Sequence, residues 1–146
     1  MKVAKEFRFE AGHRLYKYPG NCRNIHGHSY VATIEMELTG DHLNEYGFVK
    51  DFGDFKAVKE WIDEKWDHAF LANEADTTVI EFLRRPEENQ RLFICPTNPT
   101  AEWMAMHLYQ VACNLLNEFN CKVCSVSIKE TATSNAIYTA PCSCHK

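Results

Sequence analysis

The chain has 146 residues, a formal net charge of −4, 45% hydrophobic and 25% charged residues, and only 6 Gly and 5 Pro. That balance supports one compact domain with a buried core and excludes disordered, low-complexity and collagen-like classes. Net acidity argues against a broad nucleic-acid-binding face, and no uncharged apolar run reaches the ~18 residues that a membrane span needs.

Taken in chain order, residues 2–10 read as a strand, with Val3, Phe7 and Phe9 set against Lys2, Glu6, Arg8 and Glu10. Residues 11–28 form a polar connection too rich in Gly, Asn and Pro for a helix. Residues 29–39 alternate cleanly, with Tyr30, Ala32, Ile34, Met36 and Leu38 on one face. A helix is expected over 51–66 from Phe55, Val58 and Ile62, with Asp51 or Asp54 capping its first turn. Residues 67–99 read as irregular, with one short helix around Thr78–Arg84. A second long helix over about 101–118 starts at the N-cap Thr100 and buries Met104, Leu108, Val111 and Leu115. Strands at 123–130 and 136–140 close the chain. The expected class is α+β, an antiparallel sheet covered on one face.

The composition also holds 7 Cys and 7 His. An odd cysteine count behind an opening Met1–Glu6 with no secretory character points to a cytoplasmic protein with reduced thiols, and to metal or thiol chemistry. His26 and His28 stand two apart at a strand entry, so their imidazoles point the same way. His13, at the end of the preceding strand, can approach across the hairpin. Three His ligands with an open fourth position form the catalytic zinc pattern; the alternative is scattered polar loop histidines. Cys22 is either a fourth ligand that closes the site or a thiol beside the metal acting as base or nucleophile. Asp67-His68 can form a relay or simply a solvated helix end. Glu130 ends an apolar row of Cys124, Val126 and Ile128, as the anchor for a ligand's N–H groups or as an edge residue.

These residues fall into motifs: Phe9-Glu10-Ala11-Gly12-His13-Arg14-Leu15, Cys22-x3-His26-Gly27-His28-Ser29-Tyr30, Gly47-Phe48-Val49-x-Asp51-Phe52, Asp67-His68, Asn98-Pro99-Thr100-Ala101-Glu102 and Lys129-Glu130-Thr131-Ala132-Thr133. In this order the chain resembles the 6-pyruvoyltetrahydropterin synthase / 6-carboxytetrahydropterin synthase family over nearly its whole length, as a single domain 1–146. The resemblance implies the tunnelling fold (T-fold), an antiparallel four-stranded sheet with two helices on one face. It also implies a homo-oligomer, usually a hexamer, with active sites between subunits. It assigns His13, His26 and His28 to one catalytic Zn2+ per subunit. Cys22, Asp67 and His68 become the proton-transfer set, with Asp67 and His68 serving a neighbour's Cys22, and Glu130 the anchor of the pterin ring. The three-residue gap between Cys22 and His26 favours the 6-carboxytetrahydropterin synthases of queuosine biosynthesis over the 6-pyruvoyl form, whose gap is typically five. The implied reaction takes 7,8-dihydroneopterin triphosphate and releases triphosphate and acetaldehyde. Arg14, Lys17 or Arg23 is expected, without support from the family, to meet the triphosphate.

Cys121-x2-Cys124 and Cys142-x-Cys144 lie outside that pattern. A hairpin of the last two strands brings the pairs together as a possible closed zinc site, although Cys121 and Cys124 are an odd number apart on a strand. Cys95 and Cys113 read as small buried hydrophobes, and His42 and His107 as ordinary surface or core residues. The rival reading is a non-enzymatic module in which both Cys/His groups hold structural zinc.

Overall fold

The computed structural model describes residues 1–139. Strands β1 (Lys2–His13), β2 (His26–Leu38), β3 (Ala69–Asn73), β4 (Leu92–Cys95), β5 (Cys121–Lys129) and β6 (Asn135–Thr139) form one sheet in the order β4-β3-β1-β2-β5-β6. The pairs β1–β2, β2–β5 and β5–β6 are antiparallel, whereas β3 runs parallel to β1 and β4 parallel to β3. The sheet is therefore six-stranded and mixed, not the expected four-stranded antiparallel one. The four expected strands are its contiguous antiparallel part. The two extra strands, in the stretch read as irregular, are short apolar runs without alternation. Both of their faces are covered, which removes the period-2 signal.

Three helices pack on this sheet: α1 (Lys56–Lys65), α2 (Thr77–Leu83) and α3 (Ala101–Leu116). Alternation in the strands sorts them by face. Phe7, Phe9, Tyr30, Ala32, Ile34, Met36, Val126 and Ile128 join Val58 and Ile62 of α1 and Met104 and Leu108 of α3 in the main core. Leu71 and Cys95 face the same way, but Ala72 points to the opposite side and packs with Val79 and Ile80 of α2. Helix α2 thus covers the far face of the β3–β4 extension. Thr100 caps α3 as expected, its hydroxyl accepting from Trp103 N at 3.2 Å. The buried stripe of α3 is rotated from the expected one: Ala112 and Leu116 are buried and Leu115 is exposed. Asp51 caps a 3-10 turn (Phe52–Phe55) before α1, not the helix itself.

The strand ends matter most for the site. β1 runs three residues beyond its expected end and β2 begins three residues early. The histidines therefore sit on paired strands, and the connection shrinks to residues 14–25.

Candidate metal centre and active site

His13 and His26 are directly opposed in the β1–β2 register, and His28 lies opposite Ala11. All three side chains share the core-facing side with Tyr30, two residues further along β2. Their ligand atoms lie within 4.8 Å of one another. His13 Nε2 and His26 Nε2 are 3.1 Å apart, close to the roughly 3.3 Å expected for two nitrogens on one tetrahedral zinc ion. The ring tautomers suit this. His13 Nδ1 donates to Pro99 O at 2.8 Å and His26 Nδ1 to Asn24 O at 2.7 Å. Carbonyl oxygen only accepts, so each Nδ1 carries the proton and each Nε2 turns a lone pair inward.

His28 Nε2 is buried without an aligned hydrogen-bond partner, although Glu130 Oε1 stands 3.1 Å away. Burial outweighs the pull of Glu130 and holds the His28 ring below the usual imidazole range, which favours the neutral, ligating form. An inward pair of lone pairs plus an orphaned buried nitrogen fits a cation at this point.

Glu130 sits just past β5, and its Oε1 also lies 3.2 Å from His13 Nε2. The close approach of His13, ahead of an opposing burial effect, keeps its carboxyl below the usual carboxylate range. The same residue lines a cavity of 400 Å3 together with Glu102, at the start of α3, and Ser134 and Asn135. Glu130 thus stands between the histidines and open space. The sequence pattern alone gives Glu102 and Tyr30 no role in the site. The Tyr30 hydroxyl lies 3.4 Å from His13 Nδ1, and burial, with Glu130 beside it, pushes the phenol well above its usual range. Its place on the His26–His28 face was legible from the alternation, but an aromatic residue there reads as core.

Cys22 lies in an exposed 3-10 turn (Asn21–Arg23) and is not part of the histidine cluster, which among the described residues consists of three imidazoles. Asp67 and His68 occupy the turn after α1. Asp67 Oδ1 accepts from Glu10 N at 2.9 Å and its Oδ2 from His68 Nδ1 at 2.9 Å. Partial burial opposes ionisation of Asp67, but the Glu10 N–H and the His68 ring together hold it below the usual carboxylate range. His68 adopts the left-handed backbone region at φ 56° and its side chain is 72% exposed. With Glu10, Gly12, His26, His28, Ser29 and Arg91 it lines a 490 Å3 cavity. Glu10, Gly12 and Ser29 belong to the sheet face opposite the histidine side chains, by strand alternation. Among the described residues no hydrogen bond or ion pair joins Cys22 to Asp67 or His68.

Arg14, Lys17 and Arg23 line one cavity of 590 Å3 in the 14–25 connection. Arg14, however, is committed: its Nε and Nη2 each donate to the buried Asp76 carboxylate at 2.6 Å.

Of the possible second metal site, only Cys121 and Cys124 fall among the described residues. A bulge between Glu35 and Met36 leaves Cys124 out of register. Cys124 Sγ donates to Glu35 O, whereas Cys121 Sγ points to Glu118, and the two thiols face opposite sides. Cys142 and Cys144 lie outside the described residues. Cys95 is buried as expected, its thiol pushed up to about 12 by burial, and Cys113 is half-buried.

Fold and site define an α+β protein of the tunnelling-fold class that gathers three histidines capable of holding a metal ion. No helix among the described residues is long and apolar enough to cross a membrane. The family model for 6-pyruvoyl tetrahydropterin synthase matches residues 2–141. A 6-carboxy-5,6,7,8-tetrahydropterin synthase from Aquifex aeolicus is 35% identical, with 94% of this chain and 96% of the relative covered. The enzyme of that name from Rickettsia bellii is 33% identical over 74% of this chain and 77% of its own. The solved 6-pyruvoyl tetrahydropterin synthase of Caenorhabditis elegans superposes with a TM-score of 0.66 at 22% identity, covering 97% of this chain and 96% of that one, and shows the common fold. The chain belongs to the 6-pyruvoyl tetrahydropterin synthase family, and with it to the lyases.

Proposed function

We propose that the protein is a zinc-dependent 6-carboxy-5,6,7,8-tetrahydropterin synthase that converts 7,8-dihydroneopterin triphosphate with release of triphosphate and acetaldehyde, in the cytoplasmic route to queuosine. The observation that carries the metal assignment is the inward-facing Nε2 pair of His13 and His26, 3.1 Å apart with both Nδ1 atoms bound to carbonyls. The names of the relatives and the three-residue spacing of Cys22 from His26 support the carboxy product. His13, His26 and His28 hold the zinc, which supplies Lewis acidity toward the substrate's side-chain oxygens when bound.

The chain's own residues do the rest. Glu130 and Glu102 present carboxylates to the cavity beside the histidines, where the amino and ring N–H donors of a pterin find acceptors. With Arg14 bound to Asp76, Lys17 and Arg23 are the cations left for the triphosphate. Cys22 moves a proton at the substrate side chain. His68, with Nδ1–H fixed on Asp67, keeps Nε2 free to exchange that proton. Because His68 is exposed and makes no contact with Cys22 of its own chain, the thiol it serves belongs to a neighbouring copy. A ring of subunits, a hexamer in the family's usual form, supplies one.

The test is a product assay with 7,8-dihydroneopterin triphosphate. Acetaldehyde in step with triphosphate supports the reading. Triphosphate and a pyruvoyl product without acetaldehyde would replace it with the 6-pyruvoyl activity.

A further inference from the structure

The connection that carries Cys22 is tied down from both sides of the metal cluster. Asn24 N donates to Asn21 O at 3.0 Å, and Asn24 O accepts from His26 Nδ1, which fixes the far end of the thiol's turn. The near end runs through Asn98. Its Oδ1 accepts from Tyr16 N at 2.8 Å and from Asn73 Nδ2 at 2.9 Å, and its Nδ2 donates to Tyr16 O at 3.1 Å. Both backbone groups of Tyr16 are thereby occupied by one amide. On the other side of Leu15, the guanidinium of Arg14 is bidentate on buried Asp76. Leu15, held between these anchors, donates its N–H to Cys22 O at 2.8 Å. The residue after Asn98 is Pro99, whose carbonyl orients His13. One dipeptide thus grips a metal-site histidine and the segment that bears the thiol.

We infer that Asn98 is a positioning residue that sets Cys22 relative to the histidine cluster, acting through Tyr16 and Leu15. The inference rests on the proposed role of Cys22 but reaches a residue with no contact to substrate. An amide is required because one end must accept and the other donate. Asp keeps the acceptor for Tyr16 N and Asn73 but sets a carboxylate oxygen against Tyr16 O in place of the donor; Ala loses both arms.

The experiment compares full-length, zinc-loaded Asn98→Ala and Asn98→Asp with the wild type. It reads kcat and KM for 7,8-dihydroneopterin triphosphate, bound zinc, and hydrogen exchange at single amides. In Asn98→Ala the Leu15 amide, which Asn98 does not touch, should exchange at least about tenfold faster while Phe9 and Ile34 in the strands keep their protection. The kcat should fall about 10- to 100-fold with KM within about twofold and zinc unchanged, as for a group displaced by about 1 Å. Asn98→Asp, which keeps only the acceptor arm, should recover part of both effects. If Asn98→Ala does not fold, Arg14→Lys tests the same tie from its other anchor, with the same pattern expected. Wild-type exchange at Leu15, or lost Leu15 protection with wild-type kcat, overturns the inference. So does strand exchange that accelerates with Leu15, or a KM or zinc content that moves with kcat. Absence of turnover by the wild-type protein rejects the functional reading instead, and the exchange data still decide whether Asn98 holds the loop.

Discussion

His13 and His26 are cross-strand partners whose Nε2 atoms meet at 3.1 Å while each Nδ1 is bound to a main-chain carbonyl. Two neutral nitrogens with lone pairs directed at each other repel unless a cation stands between them. The sheet register and two carbonyls, from Pro99 and Asn24, impose that arrangement on the folded chain. His28, two residues along the same face, completes the set.

Removing one imidazole should therefore release the metal, while removing the thiol should not. In His28→Ala, zinc affinity is expected to fall more than about 100-fold in a chelator competition. In Cys22→Ala, zinc is expected to stay at one ion per chain while turnover drops to background. Zinc lost from Cys22→Ala would make the cysteine a ligand and reverse its assignment.

Glu130 and Glu102 differ in what they touch. Both line the same cavity, but only Glu130 reaches the histidines. Glu102→Gln should raise KM about 10-fold or more and leave zinc affinity alone, the cost of one charge-assisted hydrogen bond. Glu130→Gln should change KM and zinc affinity together. Calorimetry with a non-reactive pterin and with zinc separates the two; equal behaviour of both variants would remove the distinction.

Much of this site was legible in the sequence because strand parity and short spacing are local properties. His26 and His28 share a face by parity alone, and Thr100 caps α3 by residue type. The missing parts are those that depend on tertiary context. β3 and β4 lack alternation because both faces are covered, so Leu71 and Ala72 are equally buried. Tyr30 reads as core because its ring is core, and only the fold shows its hydroxyl reaching His13. Cys124 reads as a strand neighbour of Val126 until the bulge at Glu35 turns its thiol away. Arg14 reads as a free cation, since Asp76 lies 62 positions along the chain.

That ion pair carries a stability prediction. Asp76 is 1% exposed, and Arg14→Ala leaves its carboxylate buried without a partner. The expected loss is about 3 kcal/mol, seen as a Tm lower by roughly 10 °C. The double variant with Asp76→Asn should recover part of the loss, because a neutral amide is cheaper to bury than an unpaired charge. A double variant no more stable than Arg14→Ala would show that the charge is not the source.

His107 gives a pH dependence with a definite sign. Its ring stacks on Trp103 at 4.8 Å and lies against Trp61, Trp66 and Phe93. Burial holds its pKa below the ordinary value of 6.5. A group whose folded pKa is depressed contributes stability that is present above the unfolded pKa and lost as pH falls through the folded one. The wild-type Tm should therefore drop between pH 6.5 and 5 more steeply than that of His107→Leu, which has no proton to take up. Parallel Tm profiles for the two proteins would place the acid sensitivity elsewhere.

The separation of Cys22 from Asp67-His68 within one chain leads to a complementation test. Cys22→Ala and His68→Ala are each expected to be inactive as pure assemblies. If a site draws its thiol from one subunit and its imidazole from the next, a mixed ring contains some sites in which both are intact. Such a site needs its Cys22 from a His68→Ala chain and its His68 from a Cys22→Ala chain. Random mixing at equal amounts makes that combination in about one site in four, so co-expressed variants should regain roughly a quarter of wild-type turnover. A site built within a single chain can never be restored by mixing, and co-expression would then stay at background. The readout needs only the acetaldehyde assay together with size-exclusion evidence that the two variants have co-assembled. Recovery near one quarter would locate His68 on the neighbour of the chain whose Cys22 it serves.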